Sequence, residues 1–488
     1  MPRKIYILSL SCLLAVTLFG LKLSAAQETS SLKDYFTSED SGLYISADSQ
    51  NPLITHFELR ANDKINFKGS FNKETKKLEA FADLKEVTVS DFFPKLKNLY
   101  IKQAKIILKN NNLTIENAQL RYKSFPFSLK GGVENIKSPS IQINITGELI
   151  DLNLKAEYIE DVLQIKELII TANSSQIAST GTVNPEGKTF QIKGTGFLYF
   201  LDIQKLFSAL GEKFSILDNL DSNNPVEINF SAKGGDDFDS LQAEFHAFNK
   251  NLTIYDVEAK NISAYILKKN NFLTIDSLLA EIGNGTLNCK AKINTLNNSL
   301  EADISLKDIY IEEATKNLNL NKKAYAGKLS LKALVKNINL NSLEEMRGQG
   351  NISIGQGNIW QIDFLKGLGR FLSIPDFEEI TFGDGYTDFT LSGDKIHFQN
   401  LKLTSQQMDI TGAGTLSTKG ELEFLLYPEF NQDLIDSSEG LQKYIGTFFK
   451  KSGLAIRITG TTKKPQYKVK PLIIEPLKEI KGIFEELL

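Results

Sequence analysis

Along much of the chain, apolar and polar residues alternate one for one. In the segment 421–427, Leu422, Phe424 and Leu426 fall on one side while Glu421 and Glu423 fall on the other. From 287 to 293, Leu287, Cys289, Ala291 and Ile293 alternate with Asn288, Lys290 and Lys292. From 300 to 306, Leu300, Ala302, Ile304 and Leu306 alternate with Glu301, Asp303 and Ser305. A period of two over several residues is the mark of a strand buried on one face only. Polar clusters such as Asn294-Thr-Leu-Asn-Asn298 supply the turns between neighbours. The pattern predicts antiparallel meander strands with one wet and one dry face.

The pattern also repeats. Stretches beginning near Leu53, Leu113, Leu163, Leu273 and Ile396 each read as strand, polar turn, strand, turn and strand. Their starts are separated by about 55 residues or twice that, a spacing typical of repeat architectures. Two related units begin at Val226 and Gly327. Short helices are predicted at 202–214, 311–318, 360–372 and 436–449, and the segments 83–96 and 305–318 match one another closely. In the tail, Leu477, Ile480, Phe484 and Leu487 fall on one face of a helix spanning 476–488. That helix either caps the end of the sheet or lies on a membrane surface; Glu balancing Lys on its polar face favours the cap. No Pro/Ser-rich linker divides the chain, so one repeat array is expected.

A long sheet cannot leave its dry face in water at about 25 cal/mol per Å². Either a second sheet covers it, as in a sandwich, or the sheet curls so that the dry face becomes a groove for an apolar ligand. The fold expected is mainly β: elongated antiparallel β-meander repeats curled into a groove, with a few short helices and a C-terminal amphipathic helix. The groove candidates are Leu401, Leu403, Ile410, Leu416, Leu422, Phe424 and Leu426, with Leu287, Ile293, Leu300 and Ile304 upstream.

Arg3 and Lys4, an apolar run from Ile5 to Leu21, and Ser24-Ala25-Ala26 read as an export signal cleaved after Ala26. The run also sits near the lower limit for a membrane span, so residues 1–26 are read as a signal peptide or an N-terminal anchor. Either way the rest of the chain is expected outside the cytoplasm.

Bulk composition mostly excludes. With 488 residues, 41% hydrophobic and 24% charged, the chain has the makeup of a folded protein. A net charge of −3 points to no nucleic-acid partner. Three His and two Cys leave little for metal or thiol chemistry and no disulfide framework. His56, His246 and His397 lie far apart without metal-ligand neighbours. Gly348-Gln-Gly350 and Gly355-Gln-Gly357 lack the spacing of a dinucleotide fingerprint and read as bends or bulges within strands. Gly234-Gly-Asp-Asp-Phe-Asp-Ser240 lacks the distal Glu of an EF-hand and reads as a turn. Lys332, Lys336, Arg347, Lys366 and Arg370 fit a solvated face better than an anion site. No nucleophile constellation is present, so no enzyme, cofactor or metal site is expected.

The segment 348–430 resembles the C-terminal region of the AsmA family of bacterial envelope proteins. It carries a Gly-rich strand pair from Gly348, an apolar stretch ending Leu372-Ser-Ile-Pro375, then Gly393-Asp-Lys-Ile-His-Phe398 leading to Leu401, Leu403 and Ser405, and Ile410-Thr-Gly-Ala-Gly-Thr-Leu416. The segment 454–469 resembles the family's closing strands. The resemblance implies a repeating periplasmic β-groove, as in TamB and YhdP, that shelters phospholipid acyl chains between inner and outer membranes. On it, the chain divides into 1–26, a β-repeat region 27–325, an AsmA-like region 326–470 and the helix 471–488. The partners it implies are phospholipid acyl chains, the inner or outer membrane and other envelope proteins. The location it implies is the periplasm of a Gram-negative-type bacterium, soluble or anchored to the inner membrane by the N-terminus. The alternatives are a structural or adhesive β-repeat protein whose dry face is an ordinary core, and a periplasmic scaffold for outer-membrane protein assembly.

Overall fold

The computed structural model describes residues 41–471, apart from short gaps and the longer segments 89–98, 210–218, 319–325, 340–345, 359–381 and 432–453. The expected helices at 360–372, 436–449 and 476–488 and the N-terminal segment lie outside the described residues, as do 236–239 of the expected turn at 234–240. Among the described residues there are 27 strands, and the fold is an antiparallel meander not closed into a barrel. The mainly β class is as the alternation predicts.

The chain forms two compact units, Met1–Phe214 with Pro225–Glu244, and Ser215–Asn224 with Phe245–Leu488. The first holds the strands from β1 (Ser41–Ala47) to β12 (Thr189–Leu198) and β14 (Val226–Gly234). Each pairs with the next in sequence, and β12 pairs with β14. The second unit holds β13 (Leu220–Asp221), which pairs with β15 (Gln242–Ile254), and continues from β16 (Val257–Lys269) to β27 (Lys464–Pro471). From β16 onward every strand pairs antiparallel with its successor.

Tight turns explain the neighbour-to-neighbour order. Asn110-Asn111 (φ 51 and 63) and Tyr255-Asp256 (φ 47 and 66) place both central residues in the left-handed region, the requirement of a two-residue hairpin. Successive turns are also tied together. The Ile136 amide donates to the Asn111 carbonyl at 2.8 Å, Thr295 to Asn271 at 2.8 Å and Thr462 to Gly420 at 2.8 Å.

Curvature has a local cause in the repeats. β6 (Asn112–Tyr122), β10 (Val162–Ala172), β17 (Phe272–Ile282) and β23 (Lys395–Thr404) each open a three-strand repeat, and each slips register at the same place. The slips fall between Ile115 and Ala118, Ile165 and Leu168, Ile275 and Leu278, and Phe398 and Leu401. In every case two polar residues in a row (Glu116-Asn117, Lys166-Glu167, Asp276-Ser277, Gln399-Asn400) interrupt the alternation. A bulge there keeps the apolar residues after it on the dry face, bends the strand and tightens its twist.

Helices dock on the first turn of their own repeat. The helix Phe200–Ala209 follows β12, and its buried Asp202 accepts bonds from the Ser174 amide (3.1 Å), the Ser175 amide (3.0 Å) and the Ser175 hydroxyl (2.9 Å). The predicted helix 311–318 is shorter than expected, only Ile311–Ala314, and gives way to a turn. It sits against Gly283 (φ +50), whose carbonyl accepts from the Tyr310 amide at 2.8 Å. A Cβ on Gly283 would come within 2.9 Å of the Ala314 nitrogen, so close docking excludes a larger residue.

Candidate functional site

The eleven groove candidates lie in the second unit, and its register places them on one face. The strands concerned are β18 (Gly285–Asn294), β19 (Ser299–Tyr310), β20 (Ala326–Asn339), β21 (Arg347–Asn358), β22 (Asp384–Ser392), β23, β24 (Met408–Ser417), β25 (Glu421–Phe430) and β26 (Leu454–Thr461). One cross-strand row runs Cys289, Ile304, Ala333, Gly350, Phe389, Phe398, Gly414, Phe424 and Ile458. Beside it lie the pairings of Ile293 with Leu300, of Leu416 with Leu422, of Leu401 and Leu426 with Gly412, and of Leu403 with Ile410. Leu287 faces Leu306, which continues to Leu331 and Ile352.

The face is not uniform. Leu287, Ile293, Leu300 and Ile304 are half-buried, as are Leu273, Ile275 and Leu278 on β17. Further along, Leu403, Ile410, Leu422, Phe424 and Leu426 are buried, with Ile410, Leu426, Ile456 and Ile458 at 0% exposure; Leu401 and Leu416 stay half-buried. Sequence periodicity treats both stretches alike, but the structure separates them: the inner Leu and Ile side chains of β17–β19 stay half-buried beside the buried Ala280 and Ala302, and β24–β26 form a close-packed core.

The opposite face of the open stretch is wet. Lys290 faces Asp303 and Lys292 faces Glu301, all four exposed, so opposite charges sit directly across the β18–β19 ladder. The Lys292 ammonium lies 4.1 Å from the Phe272 ring centroid. Charge is thus kept on the outer side while the inner rows of β17–β19 carry none. Cys289 is half-buried in the open rows, where burial, and secondarily the Asp303 carboxylate, pushes its thiol above the ordinary value.

The first unit repeats the arrangement. Its central row runs from Phe57 through Ala80, Leu113, Ile141 and Ile165 to Ile192 and Ala232. The face is closely packed from Leu84 to Ile165, where Leu129, Ile143 and Leu154 are each 1% exposed. On β12 and β14, Phe190, Ile192, Ile228 and Phe230 are half-buried.

Glycine has a role here that local sequence reading misses. Gly69, Gly147, Gly194, Gly350 and Gly414 sit directly across from Phe57, Phe127, Phe230, Phe389 and Phe424. A Cβ on each would fall within 2.3–2.8 Å of the facing ring. Each ring lies against the bare backbone of the facing glycine. The expectation of bends or bulges at the two glycine pairs divides: β21 keeps its register past Gly348 and Gly350, while the irregularity in the β20–β21 pair sets Gln356 (φ 53) and Gly357 against Gly327, so the second pair does sit at a bulge. The helpful signal would have been a Phe recurring one strand away from each glycine, a non-local pattern.

Among the described residues, no group of three or more His, Cys, Asp or Glu could hold a metal ion, and no helix is long and apolar enough to cross a membrane. His56, His246 and His397 lie on separate strands, and the His246 ring meets the Tyr265 ring at a tilt of 34° with centroids 4.3 Å apart. Of the scattered basic residues, Arg347 donates to the Ser392 hydroxyl at 3.1 Å; Lys366 and Arg370 lie outside the described residues. Compared with protein-family models, curated proteins and solved structures, the chain matches none.

Proposed function

We propose that this chain is an exported cell-envelope protein that binds phospholipid acyl chains along its apolar sheet face, contributing to outer-membrane lipid homeostasis by binding and not by catalysis. The observation that carries this reading is the half-buried, uncharged inner surface of β17–β19, backed by an outer surface of paired charges. A monomer that leaves such a contiguous apolar surface partly open gains by covering it, and an acyl chain covers it without needing polar partners. The signal-like residues 1–26 support an envelope location in the periplasm, free or anchored. The resemblance of 348–430 to the AsmA family supports phospholipid as the ligand and the inner or outer membrane as its source. A second reading, a structural or adhesive repeat protein, is favoured by the close packing of β24–β26 and of Leu84–Ile165. A scaffold for outer-membrane protein assembly shares the same fold.

Native mass spectrometry of the protein purified from envelope fractions separates these readings. Phospholipid is expected to leave with the chain in defined stoichiometry and to be stripped by detergent exchange. Protein of the bare polypeptide mass in every preparation, with no uptake from added phospholipid, would favour the structural reading.

A further inference from the structure

In an antiparallel meander the connections alternate between the two ends of the strands, so the second unit has two rims. From β16 to β27, the three long connections (311–325, 359–383 and 431–453) all leave at one rim, and the longest at the other is 340–346. The first long connection is tied down across its rim. The Tyr310 amide donates to the Gly283 carbonyl at 2.8 Å, the Gly327 amide donates to the Glu312 carboxylate at 3.0 Å, and the Lys316 ammonium pairs with Glu258 at 2.5 Å. It thus reaches back past the β17–β18 turn to β16, and Ala259, Ala280, Gly285 and Ile309 near this rim are buried. The short-turn rim differs. Its last cross-strand row runs Lys268, Leu273, Ile293 and Leu300, and the three apolar members are half-buried. Beside that row the Asn271 carbonyl accepts from the Thr295 amide at 2.8 Å and the Thr295 hydroxyl at 3.1 Å, and Leu296 is 71% exposed at the turn tip. Lys268 is 4% exposed, the one buried cation among the described residues, and its ammonium donates to the Asn270 carbonyl in the turn. Its stem covers apolar surface while its charge is carried to the rim.

We infer that the second unit holds its phospholipid in one orientation, with the acyl chain on the inner face of β17–β19 and the head-group phosphate at the short-turn rim beside Lys268. This rests on the acyl-binding reading. The inner rows of β17–β19 suit a tail because they carry no charge. The phosphate joined to that tail cannot follow it, since a charge buried without partners is costly. It must end where water and strong donors are. The short-turn rim provides both: water at the exposed tip, and an ammonium, whose charge-assisted bonds to phosphate are among the strongest a side chain makes. At the other rim the face ends in buried residues, and the Lys316 ammonium is already paired with Glu258. Lys268 and Leu273 are direct partners in the register, so cation and apolar row adjoin, as the phosphate and the tail of one lipid molecule do.

The test places a photo-crosslinking residue, p-benzoylphenylalanine, singly at three positions of the full-length chain. They are Leu296 at the short-turn rim, Tyr255 at the opposite rim and Ile304 on the inner face. Leu296 and Tyr255 are exposed turn residues, at 71% and 61%, so neither change disturbs packing. Each variant, checked for a native circular dichroism spectrum, is incubated with phosphatidylglycerol vesicles and irradiated. Fragmentation mass spectrometry then assigns each adduct to the acyl chain or to the glycerol-phosphate head. Acyl adducts are expected at 304 and head adducts at 296, with at least tenfold fewer of either kind at 255. Lys268→Met is expected to cut the head adducts at 296 at least fivefold, and Lys268→Arg to keep them. Should Lys268→Met lose the native spectrum, the comparison of 296 with 255 in the chain that keeps Lys268 decides. Acyl adducts at 304 with head yields at 255 equal to or above those at 296 would overturn the orientation and leave acyl binding standing. An unchanged yield at 296 in a folded Lys268→Met chain would overturn the role of the ammonium. No adduct at any of the three positions would overturn the orientation and the acyl-binding reading together.

Discussion

Gly414→Val is expected to destabilise the second unit by about 3 kcal/mol, while Gly383→Ala is expected to change stability by less than about 0.5 kcal/mol. A Cβ at 414 would sit 2.3 Å from the Phe424 ring and 2.6 Å from the Glu423 carbonyl oxygen. Neither obstacle is the free end of a flexible chain, because the ring is pinned by its stack on Phe398 and the carbonyl belongs to the adjacent strand. The ring must leave its seat, which forfeits its packing and opens a void, the combination that makes core changes expensive. At Gly383 nothing lies within 4 Å of the position a Cβ would take. Urea denaturation of the two variants measures the difference. Equal midpoints would mean that the glycine seats carry no energetic weight.

The second large effect distinguishes the two stretches of the same face. Leu426→Asp puts a carboxylate at a site of 0% exposure, and the cost of burying it unpaired is expected to exceed about 4 kcal/mol. Ile304→Asp puts the same charge on the half-buried stretch, where water reaches it, and about 1 kcal/mol is expected. The functional effects run the other way. Ile304→Asp folds and loses lipid; Leu426→Asp fails to fold. Phe424, at 6% exposure, behaves as Leu426 does, so a charge there reports on the core and not on a groove. Thermal melts with lipid analysis of each variant check the pair. A collapse of Ile304→Asp comparable to that of Leu426→Asp would mean that the open stretch is ordinary core.

Which parts of this were legible in the sequence follows from how far each interaction reaches. Strand identity, the wet and dry faces and the three-strand repeat are local, so alternation in 287–293 and 300–306 places Leu287, Ile293, Leu300 and Ile304 on the correct side. The bulges were also written locally, as the doubled polar residues Glu116-Asn117 and Gln399-Asn400. Burial depth was not. Leu426 and Ile304 occupy equivalent positions in equivalent patterns, and they differ only in what is gathered around them in space. The same limit applied to Gly350 and Gly414, whose function depends on rings in the neighbouring strand and not on their own flanks. The docking of the helix Ile311–Ala314 at Gly283 joins residues a full hairpin apart and has no local mark in 311–318.

Cys289 offers the most direct measurement, because it lies in the open rows without any substitution being made there. In a Cys12→Ser background the thiol at 289 is the sole cysteine of the full chain. Its alkylation by N-ethylmaleimide is followed at one fixed pH, since burial holds the thiol above its ordinary pKa and the thiolate fraction changes with pH. If acyl chains cover the face, the lipid-loaded protein reacts at least tenfold more slowly than the stripped protein, and added phospholipid vesicles restore the protection. An alkylation rate that is the same with lipid, without it and after its return would contradict acyl binding on this face.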